Sequence, residues 1–218
     1  MNTAILFIEV AVIFTALIIC YRLFGKVGAI AWVGLATVLA NIITAKQADI
    51  LGMSTAIGTV LFASTFLATD ILAENHGAED AKTAVYVGLL ADVLLIVSTQ
   101  IALRYIPSEF DYAQDSMETL FALNLRISLA SMVMYFVANM GDVLLFTRLK
   151  ERGSKLWVRN NFSTILCNCL ENFGFVWLAF VGIYDGKTIL EIAVSTSIIE
   201  AIVAVCDTPF LYLARKCR

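Results

Sequence analysis

Residues 131–175 read SMVMYFVANMGDVLLFTRLKERGSKLWVRNNFSTILCNCLENFGF. Two apolar stretches flank a basic loop that carries Arg148, Lys150, Arg152, Lys155 and Arg159. Each stretch holds one polar signature, Asn139, Asp142 and Phe146 on the first and Asn168, Glu171 and Phe175 on the second, at identical spacing. Residues three or four apart share a helix face. The pattern predicts a helical hairpin with an amide and a carboxylate stacked on one side of each arm. A charge at the centre of a bilayer costs roughly 2.5–3.5 kcal/mol on insertion scales, so such groups turn toward a bundle interior or a polar cavity. Asn139, Asp142, Asn168, Glu171 and the adjacent Asn172 are accordingly read as walls of a binding site.

Composition extends the membrane reading to the whole chain. Of 218 residues, 60% are hydrophobic and 15% charged, and the mean hydropathy is +0.85. A soluble domain is closer to half apolar and a quarter charged. With 2 prolines and no Ser/Pro-rich stretch, a single membrane domain over 1–218 is expected. The net charge of -3 and the lack of a basic stripe outside the loop argue against a nucleic-acid partner. The scattered cysteines do not read as a disulfide framework, and Cys167 and Cys169 would point ~200° apart on a helix. One histidine, His76, supplies neither a haem pair nor a zinc set, so no metal or other cofactor is expected. Residues 1–24 lack a basic n-region and an A-x-A site, which predicts a retained helix.

Seven apolar segments approach the ~20 residues a bilayer needs: 3–24, 27–45, 54–72, 83–105, 120–147, 160–184 and 188–214. The fold class is therefore all-α, a polytopic membrane bundle of seven spans. Arg22, Lys26, Lys82, the loop cations from Arg148 to Arg159, Arg215, Lys216 and Arg218 fall on one side, against Lys46, Arg104 and Lys187 on the other. Positive residues collect on the cytoplasmic side, which predicts an outside N-terminus and a cytoplasmic C-terminus. The acidic loop 107–119 is then an outer, solvated one. Further polar groups lie within the spans: Asp92 mid-way along the fourth, Glu200 mid-way along the seventh, and Asp207 just before the kinking Pro209. Glu200 joins the substrate-binding set. Asp70, Glu74, Asp92, Arg126 and Asp207 are candidates for gating or coupling, with snorkelling or ion pairing the simpler role for Arg126. Glu9 reads as interhelical glue.

Several chemistries fall away. No Walker loop, G-x-S-x-G elbow or G-x-G-x-x-G fingerprint is present. The seventh span has no lysine for a retinal Schiff base, and the Pro-Gln signature of small three-helix-repeat carriers is missing. Paired carboxylates such as Asp92 and Glu171 keep an intramembrane hydrolase as a rival, without the G-x-G-D motif of aspartyl proteases.

The residues carry a family resemblance. Asn41 with Lys46, the run from Phe66 to Glu74 closed by Gly77, and Ala130-Ser131 through Asp142-Val143 to Phe146 and Leu149-Lys150 resemble the queuosine-precursor transporters, also called vitamin uptake transporters. Trp157, Arg159-Asn160-Asn161, Ser163-Thr164 and the closing Asp207-Thr208-Pro209 with Tyr212 extend the match. The resemblance implies a six-helix core over 27–213 with 1–26 an added N-terminal helix. It also implies a bacterial or archaeal inner-membrane importer of 7-deazaguanine bases, which is not an enzyme. A guanine-like edge offers two parallel donors to a carboxylate, amides read the neighbouring positions, and aromatic faces sandwich the ring. This chain departs from the family's usual pattern in having Asn139, Asn168 and Glu171 where Gln or Asp is common, and Glu200 where many members have lysine. The expected partners are a nucleobase-like solute and the bilayer; a homodimer is compatible with the sequence, and the coupling ion stays open. The alternative function is a substrate-capture subunit for another vitamin-like solute, working with an ATP-driven partner.

Overall fold

A computed structural model describes residues 1–121 and 125–217. The elements run α1 (Asn2–Ile43), β1 (Gln47–Ile50), β2 (Met53–Ala56), α2 (Thr59–Asn75), α3 (Ala78–Ala102), α4 (Gln114–Phe121), α5 (Leu125–Glu151), α6 (Leu156–Phe180) and α7 (Gly186–Arg215). The 42 residues of α1 form two arms, because Gly25 leaves the helical conformation at φ 59°, ψ -143°. That backbone region is open to glycine and closed to most residues.

Leu6, Val10, Phe14, Leu17 and Tyr21 recur at helical spacing along the first arm and are all buried. Phe14 meets Phe210 of α7 edge-on at 5.4 Å between ring centroids. The arm that the resemblance sets outside a six-helix core is thus a packed wall of this bundle.

At the centre stands α2, buried along nearly its whole length and touched by α1, α3, α5 and α7. Ala63, Ser64, Ala68 and Ala73 let neighbouring helices approach closely. The hydroxyls of Ser64, Thr65 and Thr69 donate back to carbonyls three residues earlier at 2.6, 2.7 and 2.9 Å. Polar side chains are thereby carried through an apolar core without losing their hydrogen bonds.

The sequence reading of residues 54–72 as one span needs correction. Residues 47–56 form an antiparallel hairpin with Ile50 opposite Met53, and the helix begins only at Thr59. Leu51 and Gly52 occupy φ 55° and 78°, the doubly positive geometry of a tight hairpin turn. A short run of mixed polarity such as 47–56 cannot be assigned to helix or strand by hydropathy alone. Loop 107–119 is likewise partly helical, since α4 starts at Gln114. Residues 122–124, inside the expected fifth span, lie outside the described residues. The sixth helix begins and ends four residues before its predicted limits of 160 and 184. The start of α7 is fixed by Asp185, whose side chain accepts from the Thr188 hydroxyl at 2.5 Å and the Lys187 amide at 3.2 Å. The Thr188 contact chiefly holds its carboxyl below the usual range.

Outside, the bundle is apolar: Ile8, Leu35, Leu90, Leu94, Leu166, Leu170, Leu190 and Ile198 are exposed, while Asp70, Asp142 and Asp207 are buried. Apolar side chains on the outside with carboxylates kept inside is the distribution expected in lipid. Among the described residues, α1, α3, α5, α6 and α7 are long and apolar enough to cross a membrane; α2, with 17 residues, is shorter.

The helix ends gather into two faces. On one, Asn2 donates to the Asp49 carbonyl at 2.9 Å beside the β hairpin, and α6 turns into α7. On the other, Lys26 pairs with Asp80 at 3.2 Å and Asn75 reaches the Ala214 carbonyl at 3.1 Å. The latter also carries Arg148, Lys150, Arg152, Lys155, Arg159 and Arg215, and is called the basic face below.

Candidate functional site

A cavity of about 830 Å³ opens at the hairpin face. Its rim holds Gln47 and Thr55 of the hairpin, with Tyr184 and Thr188 at the α6–α7 turn. From there α7 contributes Thr188, Ser195, Thr196 and Glu200 along one side, a descent of ~18 Å at 1.5 Å per residue. Glu171, Asn172, Glu200 and Asp92 form the polar floor, and Phe62, Tyr135, Phe175 and Phe180 supply aromatic wall. Phe62 and Tyr135 stand edge-to-face at 6.0 Å, as do Phe175 and Phe180 at 6.1 Å.

The floor is acceptor-rich. Asn172 donates through Nδ2 to Glu200 Oε2 at 2.7 Å and to Ser197 Oγ at 3.3 Å, and Asn41 donates to Asp92 Oδ1 at 3.0 Å. Glu171 Oε2 has no hydrogen-bond donor among the described residues. A buried acceptor without a partner is costly, and a molecule bringing donors into the cavity would satisfy it. The aromatic wall suits a flat ring, and the volume falls within the ~300–1,000 Å³ usual for small-molecule sites.

The structure divides the sequence-derived set. Glu171, Asn172, Glu200 and Asp92 share the cavity; Arg126 lies at the hairpin-face end of α6, and the others lie below or behind the cavity. Asn139 is fully buried behind Tyr135, donating to the Tyr135 carbonyl at 3.1 Å and accepting from Thr65 Oγ1 at 3.4 Å. Its place is that of a support for the wall. Asp142, buried further toward the basic face, accepts from Thr164 at 3.3 Å. Asn168 lies between these levels, only 2% exposed, and neither atom of its amide finds a partner among the described residues. Asp207 accepts from Asn160 at 2.5 Å. Glu74 bonds Arg159 and lies 3.6 Å from Lys150 and 3.4 Å from Arg215, closing the basic face. Arg126 donates to the Leu178 and Val181 carbonyls at 2.6 and 2.8 Å, satisfying the C-terminal end of α6.

Sequence reasoning missed Tyr135, Phe62 and the α7 hydroxyls, and saw Asn41 only as part of a motif. Thr188, Ser195 and Thr196 repeat at helical spacing with Glu200, a signal legible as one polar face. Phe62 and Tyr135 carried none, since an aromatic residue in an apolar helix is ordinarily core.

Residues 56–214 match the family described as "Putative vitamin uptake transporter". The chain belongs to this family. A "Probable queuosine precursor transporter" of Bacillus subtilis is 32% identical over 206 residues, covering 93% of this chain and 90% of that protein. A protein of the same description from Haemophilus influenzae is 32% identical over 123 residues, 56% of this chain and 51% of its own. No solved structure matches the chain. As a vitamin uptake transporter family member with several apolar helices, the chain is a multi-pass membrane transporter protein. The polar floor, Asp92, Glu171, Asn172 and Glu200, falls within the segment that matches the family.

Proposed function

We propose that this chain imports a 7-deazaguanine base, a precursor of the queuosine of tRNA, across the inner membrane of a bacterium or archaeon. The observation that carries the reading is Glu171, an acceptor without a donor at the floor of an aromatic-walled cavity. A guanine-like edge presents a ring N–H and an exocyclic amine side by side, and a carboxylate accepts both. Asn172 and Glu200 orient the remainder of the ring, and Glu200 is placed to pair a cationic aminomethyl arm. The related proteins of both bacteria carry queuosine precursor transport in their descriptions.

Direction follows from the two faces. With the basic face in the cytoplasm, seven crossings result once the two arms of α1 are counted separately. The N-terminus is then outside and the cavity faces outward, ready to load. Residues 1–218 act as one membrane domain.

The test is complementation. Bacteria unable to make queuosine or import its precursors would express the chain, be fed the 7-cyano or the 7-aminomethyl base separately, and have queuosine measured in tRNA. Restoration by the aminomethyl base, lost in Glu171→Gln at unchanged membrane expression, is expected. Wild-type restoration by Glu171→Gln removes that residue from the site; no restoration by either base rejects the ligand class.

A further inference from the structure

Beneath the cavity floor the bundle holds a second polar assembly on α2, α5, α6 and α7. Asp70 and Asp142 are fully buried and Asp207 is 1% exposed. The Asp70 and Asp142 carboxyls are close enough to act on one another electrostatically across the α2–α5 contact. Facing Asp70 are Asp142 of α5, Cys167 and Arg159 of α6, and Asp207 of α7, with Glu74 one turn along α2 itself.

The assembly has acceptors in excess. Among the described residues, both oxygens of Asp70, Oδ2 of Asp142, Oδ2 of Asp207 and Oδ1 of Asn160 have no hydrogen-bond donor. Asn160 points its amide at Asp207 at 2.5 Å, so its bare oxygen belongs to the same cluster. Arg159, the guanidinium that acts on Asp70, bonds Glu74 and the Ser154 carbonyl and keeps one donor, Nε, without a partner among the described residues. Three enclosed carboxylates facing one engaged cation require positive charge from elsewhere. Two neighbouring carboxyls sealed from water favour sharing a proton, because like charges close together in a low dielectric repel. Among the described residues no three His, Cys, Asp or Glu side chains are placed to hold a metal ion, and a proton neutralises a paired carboxylate without needing such a ligand set.

A route joins this assembly to the cavity. Asn160, Thr164, Asn168 and Asn172 follow one another every four residues along α6, with Glu171 beside the last. They make a polar stripe ~18 Å long at 1.5 Å per residue, over half of a hydrocarbon core ~30 Å thick. Asn168, buried and without a partner, stands in the stripe between Glu171 and Thr164.

We infer that the Asp70–Asp142 pair, completed by Asp207 and Asn160, is a proton-binding site that couples movement of the base to the proton gradient. It rests on the transport reading above and adds the driving ion. The proton arrives from the cavity along the α6 stripe, resides on the carboxyl pair while the base is bound, and leaves toward the Glu74–Arg159 end once the basic face opens.

The experiment has two arms on the full chain. In the first, ligand-free protein in lipid nanodiscs is followed by infrared difference spectroscopy through a pH jump. Wild type is expected to show the C=O band of a protonated carboxyl at neutral pH, diminished in Asp70→Asn. In the second, proteoliposomes take up labelled 7-aminomethyl-7-deazaguanine under an acid-outside or a sodium gradient. The acid gradient should drive accumulation in wild type. Asp70→Asn and Asp207→Asn should lose it by on the order of tenfold or more, the scale of an ordinary coupling free energy, while keeping base-for-base exchange. Accumulation driven by sodium alone, or pH-driven accumulation intact in both variants, overturns the inference, as does a wild type without the carboxyl band. If no base moves under any gradient, the ligand reading has failed, and the infrared arm alone decides for or against the proton site.

Discussion

Asn172 on α6 donates a 2.7 Å hydrogen bond to Glu200 on α7, joining the two helices at the bottom of the cavity. The bond does two things at once. It orients one oxygen of Glu200, and it fixes the seam on which the floor depends. Asn172→Leu removes the donor and leaves a carboxylate poorly satisfied, a loss of about 1.5–3 kcal/mol for a hydrogen bond to a charged group. Concentration-dependent uptake should show the apparent affinity falling by on the order of tenfold to a hundredfold. Asn172→Ser, which keeps a donor, should recover part of it.

Gly88 on α3 tests the aromatic wall from behind. A Cβ there would run into the Tyr135 hydroxyl and lie 3.0 Å from Val33 Cγ1. Gly88→Leu should therefore push the Tyr135 ring into the cavity, at about 1–3 kcal/mol for overpacking. Uptake should weaken more than thermal stability does. Gly141→Ala, which meets only Cys167 Sγ at 3.5 Å, should leave both unchanged.

At the basic face, Glu74 and Arg159 form an ion pair with both side chains nearly enclosed, 6% and 8% exposed. Glu74→Ala strands a buried guanidinium, which costs about 3–5 kcal/mol. Thermal unfolding in detergent should register a large drop. Lys82→Ala breaks a pair whose Glu79 is 88% exposed and should be close to silent, as surface pairs are.

The β hairpin offers a stabilising change. Leu51 sits at φ 55° ahead of Gly52, where a branched side chain is strained by roughly 1–2 kcal/mol relative to residues that tolerate that region. Leu51→Asn installs the preferred Asn-Gly pair. It should raise the midpoint of thermal unfolding and protect the Lys46 carbonyl–Ile57 amide bond from hydrogen exchange; a lower midpoint would contradict the turn geometry.

How much of this was legible in the sequence differs by element. The α5–α6 hairpin and its Asn/acid signatures could be read directly, because a carboxylate in an apolar helix has few places to go. The opposite depths of Asp142, nearer the inner surface, and Glu171, nearer the midplane, could be read as well; that Asp142 is sealed off from the cavity could not. Asp142 and Glu171 occupy matching positions in the two signatures, but α5 and α6 run in opposite directions. One carboxylate is thus lowered toward the basic face and the other raised into the cavity. Spacing and loop charge fix face and depth, whereas sealing depends on how neighbouring helices pack over a group. The β hairpin was missed because hydropathy carries no information about backbone sign at Leu51 and Gly52.

The burial of α2 bears on how the chain is made. A segment of 17 residues carrying Asp70, with Ser64, Thr65 and Thr69 along its length, is a poor substrate for the translocon, which favours longer and more apolar segments. Its counterpart Asp142 on α5, and Arg159 on α6, are synthesised well after it. The nascent α2 must therefore wait, held by the second arm of α1 through contacts such as Trp32 Nε1 to Ser64 Oγ at 2.9 Å, until the C-terminal helices arrive. Ribosome-bound chains arrested after α3 should leave α2 accessible to aqueous cysteine labels, and chains released after α7 should not. The acidic centre of the finished protein is, on this account, the last part of it to leave water.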